Sequence, residues 1–228
     1  MSSETTNVGV KICGVRDLDT ALAAARAGAD YLGFVFFRKS PRFLSADAAD
    51  DIIVDLKQIS FDEGFALPAL VGLFVDAGEK ELSEVAPFLN HFQFHGHEDA
   101  ERCAEMGAEF AVEIIKAVPV TDAGDVAAAS EFQEAADTIL FDAKPPPGAA
   151  RPGGHGIEYD WSALRSYAGE TPYLVAGGLM PDNIAAAVAA QQNAATFLGV
   201  DVSSGVESSP GKKDIDLIET FITKAKTT

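Results

Sequence analysis

Short apolar runs alternate with longer amphipathic stretches along nearly the whole chain, the signature of strands and helices taken in turn. The first run, Val8-Gly9-Val10-Lys11-Ile12-Cys13, has a period of two. It sends Val8, Val10 and Ile12 to one face and Lys11 and Cys13 to the other. An alanine-rich helical pattern follows, with Asp17 as its N-cap and Gly28 as its stop. Further strands are expected at 31–36, 70–75, 92–95, 111–115 and 138–141, and two more begin at Tyr173 and Ala195. Helical patterns lie around 45–58, 79–88, 98–105 and 121–135, and Pro181 should open another. The segment Ala27-Gly28-Ala29-Asp30-Tyr31 returns as Met106-Gly107-Ala108-Glu109-Phe110, which predicts the same step from helix to strand at both places.

Eight strands alternating with helices in 228 residues predict a single-domain closed (β/α)8 TIM barrel over 1–228. A doubly wound open sheet is the alternative. Residues 1–6 are expected to be a flexible N-terminal extension, and 60–68 a surface insertion before the third strand.

In such a barrel the chemistry sits on the loops after the strands. Those positions hold Cys13, Arg38 to Arg42, Asp76, His95, His97, Lys116 and Asp142. Two glycine turns, at Gly177-Gly178 and at Ser203-Ser204-Gly205, follow the last two strands, where a backbone grip for phosphate is expected. Asp142 shares a face with Leu140 and should look inward. Strands one and six should face each other, bringing Cys13 and Asp142 to two sides of one substrate. The loop 143–160 joins Pro145-Pro146-Pro147 to Gly153-Gly154-His155-Gly156, stiff then mobile, as suits a lid. Each candidate also has a plainer reading. Cys13 could be a small buried hydrophobe and Asp142 a loop cap. Lys11 is either a neighbour that favours a thiolate or an interior charge paired with a carboxylate. His91 is a surface residue or a member of its strand.

Composition narrows the partners. Hydrophobic residues make up 47% and charged residues 23%, enough apolar material for a core. Lys plus Arg is 17 and Asp plus Glu is 35, a net charge of −18 that disfavours nucleic acid and anionic membrane surfaces. The acids Asp47, Asp50, Asp51, Asp55, Glu79, Glu81, Glu84, Glu98, Asp99 and Glu101 read as a solvated outer face suited to a salt-rich cytoplasm. The N-terminus lacks the pattern of a signal peptide, and a cytoplasmic location is expected. No disulfide is expected between Cys13 and Cys103, one inside the barrel and one on the outer ring.

Five segments carry a family resemblance: Lys11-Ile12-Cys13-Gly14; Gly33-Phe34-Val35-Phe36 with Lys39-Ser40-Pro41-Arg42; Gln93-Phe94-His95-Gly96; Gly177-Gly178-Leu179; and the run from Gly199 to Glu207. In register from about Val8 to Asp214, the chain resembles the phosphoribosylanthranilate isomerases of tryptophan biosynthesis. The resemblance implies a (β/α)8 barrel with no cofactor and no metal, catalysing an Amadori rearrangement of a small phosphorylated substrate as monomer or homodimer. It implies Cys13 as general base and Asp142 as general acid, which at neutral pH need a thiol that ionises easily and a carboxyl that keeps its proton. It implies Arg42 as the anthranilate carboxylate clamp, with Lys11, His95, Gly177, Gly178, Asp201, Ser203, Ser204 and Gly205 completing the substrate site. Where the family has Gly-Gly-Thr-Gly, this chain has Gly153-Gly154-His155-Gly156. Two rivals remain: a metal-dependent barrel hydrolase or epimerase using His95, His97 and Asp142, and a non-catalytic sugar-phosphate binding module.

Overall fold

The computed structural model describes residues 8–146, 148–149, 153–156 and 158–228. The expected extension at 1–6 lies outside them, as does Pro147 of the proline run. Eight parallel strands close into a barrel in chain order, which settles the choice against an open sheet. They are β1 (Gly9–Cys13), β2 (Tyr31–Val35), β3 (Ala69–Phe74), β4 (His91–Phe94), β5 (Glu113–Val120), β6 (Thr138–Ala143), β7 (Tyr173–Val175) and β8 (Phe197–Val202). β8 pairs with β1 to close the ring and sets Asp201 beside Lys11.

Outside run α1 (Leu18–Arg26), α2 (Ala46–Glu63), α3 (Glu79–Val85), α4 (Ala100–Phe110), α5 (Ala123–Ala128), α6 (Ile184–Ala190) and α7 (Ile215–Lys226). Between β6 and β7 the described residues form a 3-10 helix, Trp161–Ser166, instead of an α-helix. Asp17 caps α1 as its side chain accepts from Thr20 N at 2.8 Å, supplying a partner for an otherwise orphaned first-turn donor. Among the described residues, no helix is long and apolar enough to cross a membrane.

The period of two divides the apolar material into two cores. Val10, Ile12, Phe92, Phe94 and Phe141 point outward into the layer between strands and helices. Val71, Ile115, Leu140 and Leu174 fill the barrel itself. Above that plug, Cys13, Val35 and Leu73 form a small apolar patch at the rim. The filled interior confines any ligand to the rim.

Several local expectations give way to packing. The second copy of the repeat lies wholly within α4, because that helix continues to bury Cys103 and Met106 against the outer core. β5 therefore starts at Glu113, beyond the expected 111, and runs on to Val120. α2 extends to Glu63, shrinking the supposed insertion to 64–68. His91 belongs to β4 and is buried, its Nε2 2.7 Å from Glu113 and its ring edge-on to Tyr31. Glu98, counted among the solvated acids, is buried because Lys116 neutralises it at 3.2 Å. A hairpin of β9 (Glu207–Ser209) and β10 (Lys212–Lys213), absent from the expected elements, follows β8.

Candidate active site

β1 sends two side chains inward, one above the other. Lys11 is fully buried and donates from Nζ to Asp201 Oδ1 at 2.8 Å. Burial works most strongly against this ammonium, but Asp201 and Cys13 together outweigh it and leave its pKa above the ordinary value. Lys11 is thus the interior charge paired with a carboxylate. Cys13 sits a layer higher, 4% exposed, beside Gly33 of β2. A side chain at Gly33 would come within 3.0 Å of Cys13 Sγ and 3.2 Å of Lys11 Nζ, so glycine makes room for both groups.

Burial pushes the Cys13 thiol up and Asp201 adds to this, while Lys11 and Lys213 pull it down without prevailing. The easily ionised thiol expected from the sequence is thus corrected. Cys13 is largely buried, and desolvation of the thiolate outweighs its cationic neighbours.

Asp142, at the end of β6, accepts from Ala143 N at 2.8 Å, and its Oδ2 lies 3.3 Å from His95 Nε2. The other ring nitrogen of His95 meets Gln93 Nε2 at 3.5 Å. Gln93 is 1% exposed and its Oε1 has no hydrogen-bond partner among the described residues. Cys13, Arg42, Gln93, His95 and Asp142 all border one cavity of about 60 Å³. β1 and β6 are not diametrically opposed, since only β7 and β8 separate them on the shorter way round. The two side chains nonetheless reach the same cavity from different strands.

Arg42 is held by Glu207, which accepts from its Nε at 2.7 Å and from its Nη2 at 2.8 Å. This bidentate pair fixes the plane of the guanidinium and leaves its Nη1 edge toward Gly154 at the cavity wall. A second cavity, about 40 Å³, is lined by Gly177, Gly178, His155, Ser203 and Ser204, and shares Asp142, Asp201, Ser203 and Gly154 with the first. Gly177 and Gly178 take φ of 85° and 64°, left-handed values that suit glycine, and both line this concavity. Gly205 packs against the carbonyl of Leu179, which brings the turns after β7 and β8 together.

The helix after this turn begins at Ile184 and not at Pro181, because Met180 N donates to Asn183 Oδ1 at 2.8 Å and holds the intervening residues in a turn. After β8 comes a 3-10 turn, Ser204–Val206. Residues of these two turns line the cradle.

The remaining rim candidates separate from the cavity. His97 is exposed and pairs with Asp76 at 3.2 Å, so the set His95, His97 and Asp142 is not brought together. Lys116 donates to Gly96 O at 3.0 Å and pairs with Glu98, which also accepts from Asp76 N and Gly96 N. Lys116 thus lies within β5 and not on the loop after it, and the cluster braces the loops after β3 and β4 against that strand. Sequence reasoning assigned no role to Gln93, Glu207 or Lys213. Gln93 shares strand parity with His95, a usable signal; the hairpin that places the other two had none.

A closed parallel barrel whose rim joins a glycine cradle to a thiol, a carboxyl and a clamped guanidinium defines a class, the barrels that act on phosphorylated sugars. Residues 10–224 match the family model of N-(5'-phosphoribosyl)anthranilate isomerase. The enzyme of that name from Rhodospirillum rubrum is 43% identical over 215 residues, covering 93% of this chain and 95% of its own. That of Paramagnetospirillum magneticum is 43% identical over 221 residues, covering 96% and 97%. Among solved structures, phosphoribosyl anthranilate isomerase of Thermotoga maritima superposes with a TM-score of 0.81 at 36% identity, covering 97% of this chain and all 100% of that one. A further structure, TM-score 0.78 at 34% identity, covers the same shares and holds reduced 1-(o-carboxyphenylamino)-1-deoxyribulose 5-phosphate. The chain belongs to the N-(5'-phosphoribosyl)anthranilate isomerase family, aldose–ketose isomerases of tryptophan biosynthesis.

Proposed function

We propose that this chain converts phosphoribosylanthranilate to carboxyphenylamino-deoxyribulose phosphate with Asp142 as general acid and Cys13 as general base. The observation that carries this reading is the meeting of both groups at one cavity continuous with the glycine cradle. The phosphate binds the turns at Gly177-Gly178 and Ser203-Ser204-Gly205, and the anthranilate carboxylate binds Arg42. Asp142 gives its proton to the ribose ring oxygen as the bond from C1′ to that oxygen breaks and the nitrogen lone pair forms an iminium. The Cys13 thiolate then takes the proton from C2′, the C–H electrons form the C1′–C2′ double bond, and the iminium electrons return to nitrogen. The thiol returns its proton to C1′ while the Asp142 carboxylate takes that of the 2′-hydroxyl. This leaves a ketone at C2′ and restores both groups.

A raised thiol pKa is compatible with this role. Few thiols are ionised at neutral pH, but each thiolate is a stronger base, and the iminium makes the C2′ proton acidic at the step where it is removed. Lys11 serves the thiol from below, and His95 holds Asp142. A bacterial strain that needs tryptophan because it lacks this isomerase should grow without tryptophan when given this chain. No growth, with the protein present and folded, would refute the reading.

Arg42→Ala should raise KM by roughly 10- to 100-fold, the equivalent of ~1.5–3 kcal/mol for a charge-assisted hydrogen bond, with a smaller fall in kcat. Steady-state kinetics check this, and an unchanged KM would remove Arg42 as the clamp.

The same proposal extends to the setting. The helix acids Asp47, Asp50, Asp51, Asp55, Glu79, Glu81 and Glu84 are exposed, and a net charge of −18 repels itself in dilute buffer. A salt-rich cytoplasm supplies the counterions. The melting temperature should climb steeply with potassium chloride as the screening length falls from about 10 Å at 0.1 M to about 3 Å at 1 M. A melting curve insensitive to salt over that range would contradict it.

A further inference from the structure

The hairpin after β8 places a buried ion network beside Cys13. Glu207 Oε1 accepts from Arg42 Nε at 2.7 Å and from Lys213 Nζ at 3.0 Å, while Oε2 accepts from Arg42 Nη2 at 2.8 Å and from Gly211 N at 3.1 Å. All three charged side chains are sealed, with exposures of 5% for Arg42, 3% for Glu207 and 1% for Lys213. Two cations against one anion leave one positive charge in excess. A buried uncompensated charge is expensive, so it persists where an anion is to be met.

The network also reaches the backbone of Cys13. Lys213 Nζ donates to Ser203 O at 2.8 Å, and Ser203 Oγ donates to Cys13 O at 3.1 Å. Lys11 also draws the Cys13 thiol down, and more strongly than Lys213, but it is not part of this surplus. Lys11 below it is neutralised by Asp201, and across the cavity stand Asp142 and His95. We propose that Lys213 is a positioning residue that supplies the net positive charge favouring the Cys13 thiolate, and that through Glu207 it ties this charge to the Arg42 clamp. The proposal deepens the reading of Cys13 as base and rests on it. Burial presses Lys213 toward its neutral form against the pull of Glu207, so its charge responds to a nearby anion such as the thiolate.

The test needs no turnover. Alkylation by iodoacetamide as a function of pH, read on the Cys13 peptide by mass spectrometry, gives the thiol midpoint free of interference from Cys103. In Lys213→Met the midpoint should rise by about one pH unit, so that alkylation at a pH below it falls about tenfold. Lys213→Gln keeps a donor toward Ser203 and Glu207 but loses the charge, and should show the same rise; it carries the test if the methionine variant fails to fold. Lys213→Arg keeps the charge and should stay near the wild-type midpoint. A wild-type midpoint in folded Lys213→Gln, or an equal rise in Lys213→Arg, would overturn the proposal. Full isomerase activity in Cys13→Ser would instead refute the reading of Cys13 as base, leaving the midpoint result to stand or fall by itself.

Discussion

Cys13→Ser is expected to lose at least about 10²-fold in kcat, the scale for removing a positioned base. Serine keeps the shape of the side chain, and the space beside Gly33 accepts its smaller oxygen. A hydroxyl, however, is far too weak an acid to yield an anion where burial already pushes a thiol up. Affinity for the reduced product analogue should stay near the wild-type value, because the proposed phosphate and carboxylate anchors lie in loops after other strands. In the wild type, iodoacetamide should inactivate by alkylating Cys13, with the analogue protecting. Since the thiol stands above its ordinary value, the rate of that inactivation should still be climbing at alkaline pH. A Cys13→Ser variant with more than about a tenth of wild-type kcat, set against the ~10²-fold loss expected for a base, would return Cys13 to the role of a small buried hydrophobe.

Asp142→Asn should be as damaging, again by at least about 10²-fold in kcat, because the amide has no acidic proton for the ring oxygen. The substitution keeps the carbonyl that accepts from Ala143 N and can still meet His95 across 3.3 Å. Fold and analogue binding should therefore survive while the ring-opening step fails. Asp142→Asn differs from a clamp variant in the split of its effects: kcat falls with KM little changed, the reverse of Arg42→Ala. A rise in KM with kcat intact would make Asp142 a binding group.

The barrel was legible because strand periodicity puts Val10 and Ile12 on one face and Lys11 and Cys13 on the other whatever the details of the loops. Asp142 was legible for the same reason, through its parity with Leu140. What the sequence could not carry was long-range pairing. Glu98 looks like any helix-flanking acid until Lys116, on another strand, is seen to neutralise it. Glu207 and Lys213 are six residues apart, and only the turn at Gly211 folds them onto Arg42. The raised thiol was missed because desolvation depends on what covers Cys13, whereas the sequence displayed only its cationic neighbour Lys11. Helix ends were misread where side chains intervene: Asn183 delays the helix expected at Pro181, and α4 runs through a segment that its resemblance to 27–31 had marked as the start of a strand.

The most direct measurement follows the reaction itself. Purified protein, treated with chelator and supplied with phosphoribosylanthranilate labelled with carbon-13 at C1′ and C2′, is monitored by NMR beside a Cys13→Ser/Asp142→Asn double variant. The predicted result is loss of the anomeric C1′ signal and appearance of a ketone at C2′ with the wild type, undiminished by the chelator, and at least about 10²-fold slower with the double variant. Conversion that stops with chelator and returns with a divalent metal, or that proceeds at the wild-type rate in the double variant, would contradict a reaction run by the proton chemistry of Cys13 and Asp142.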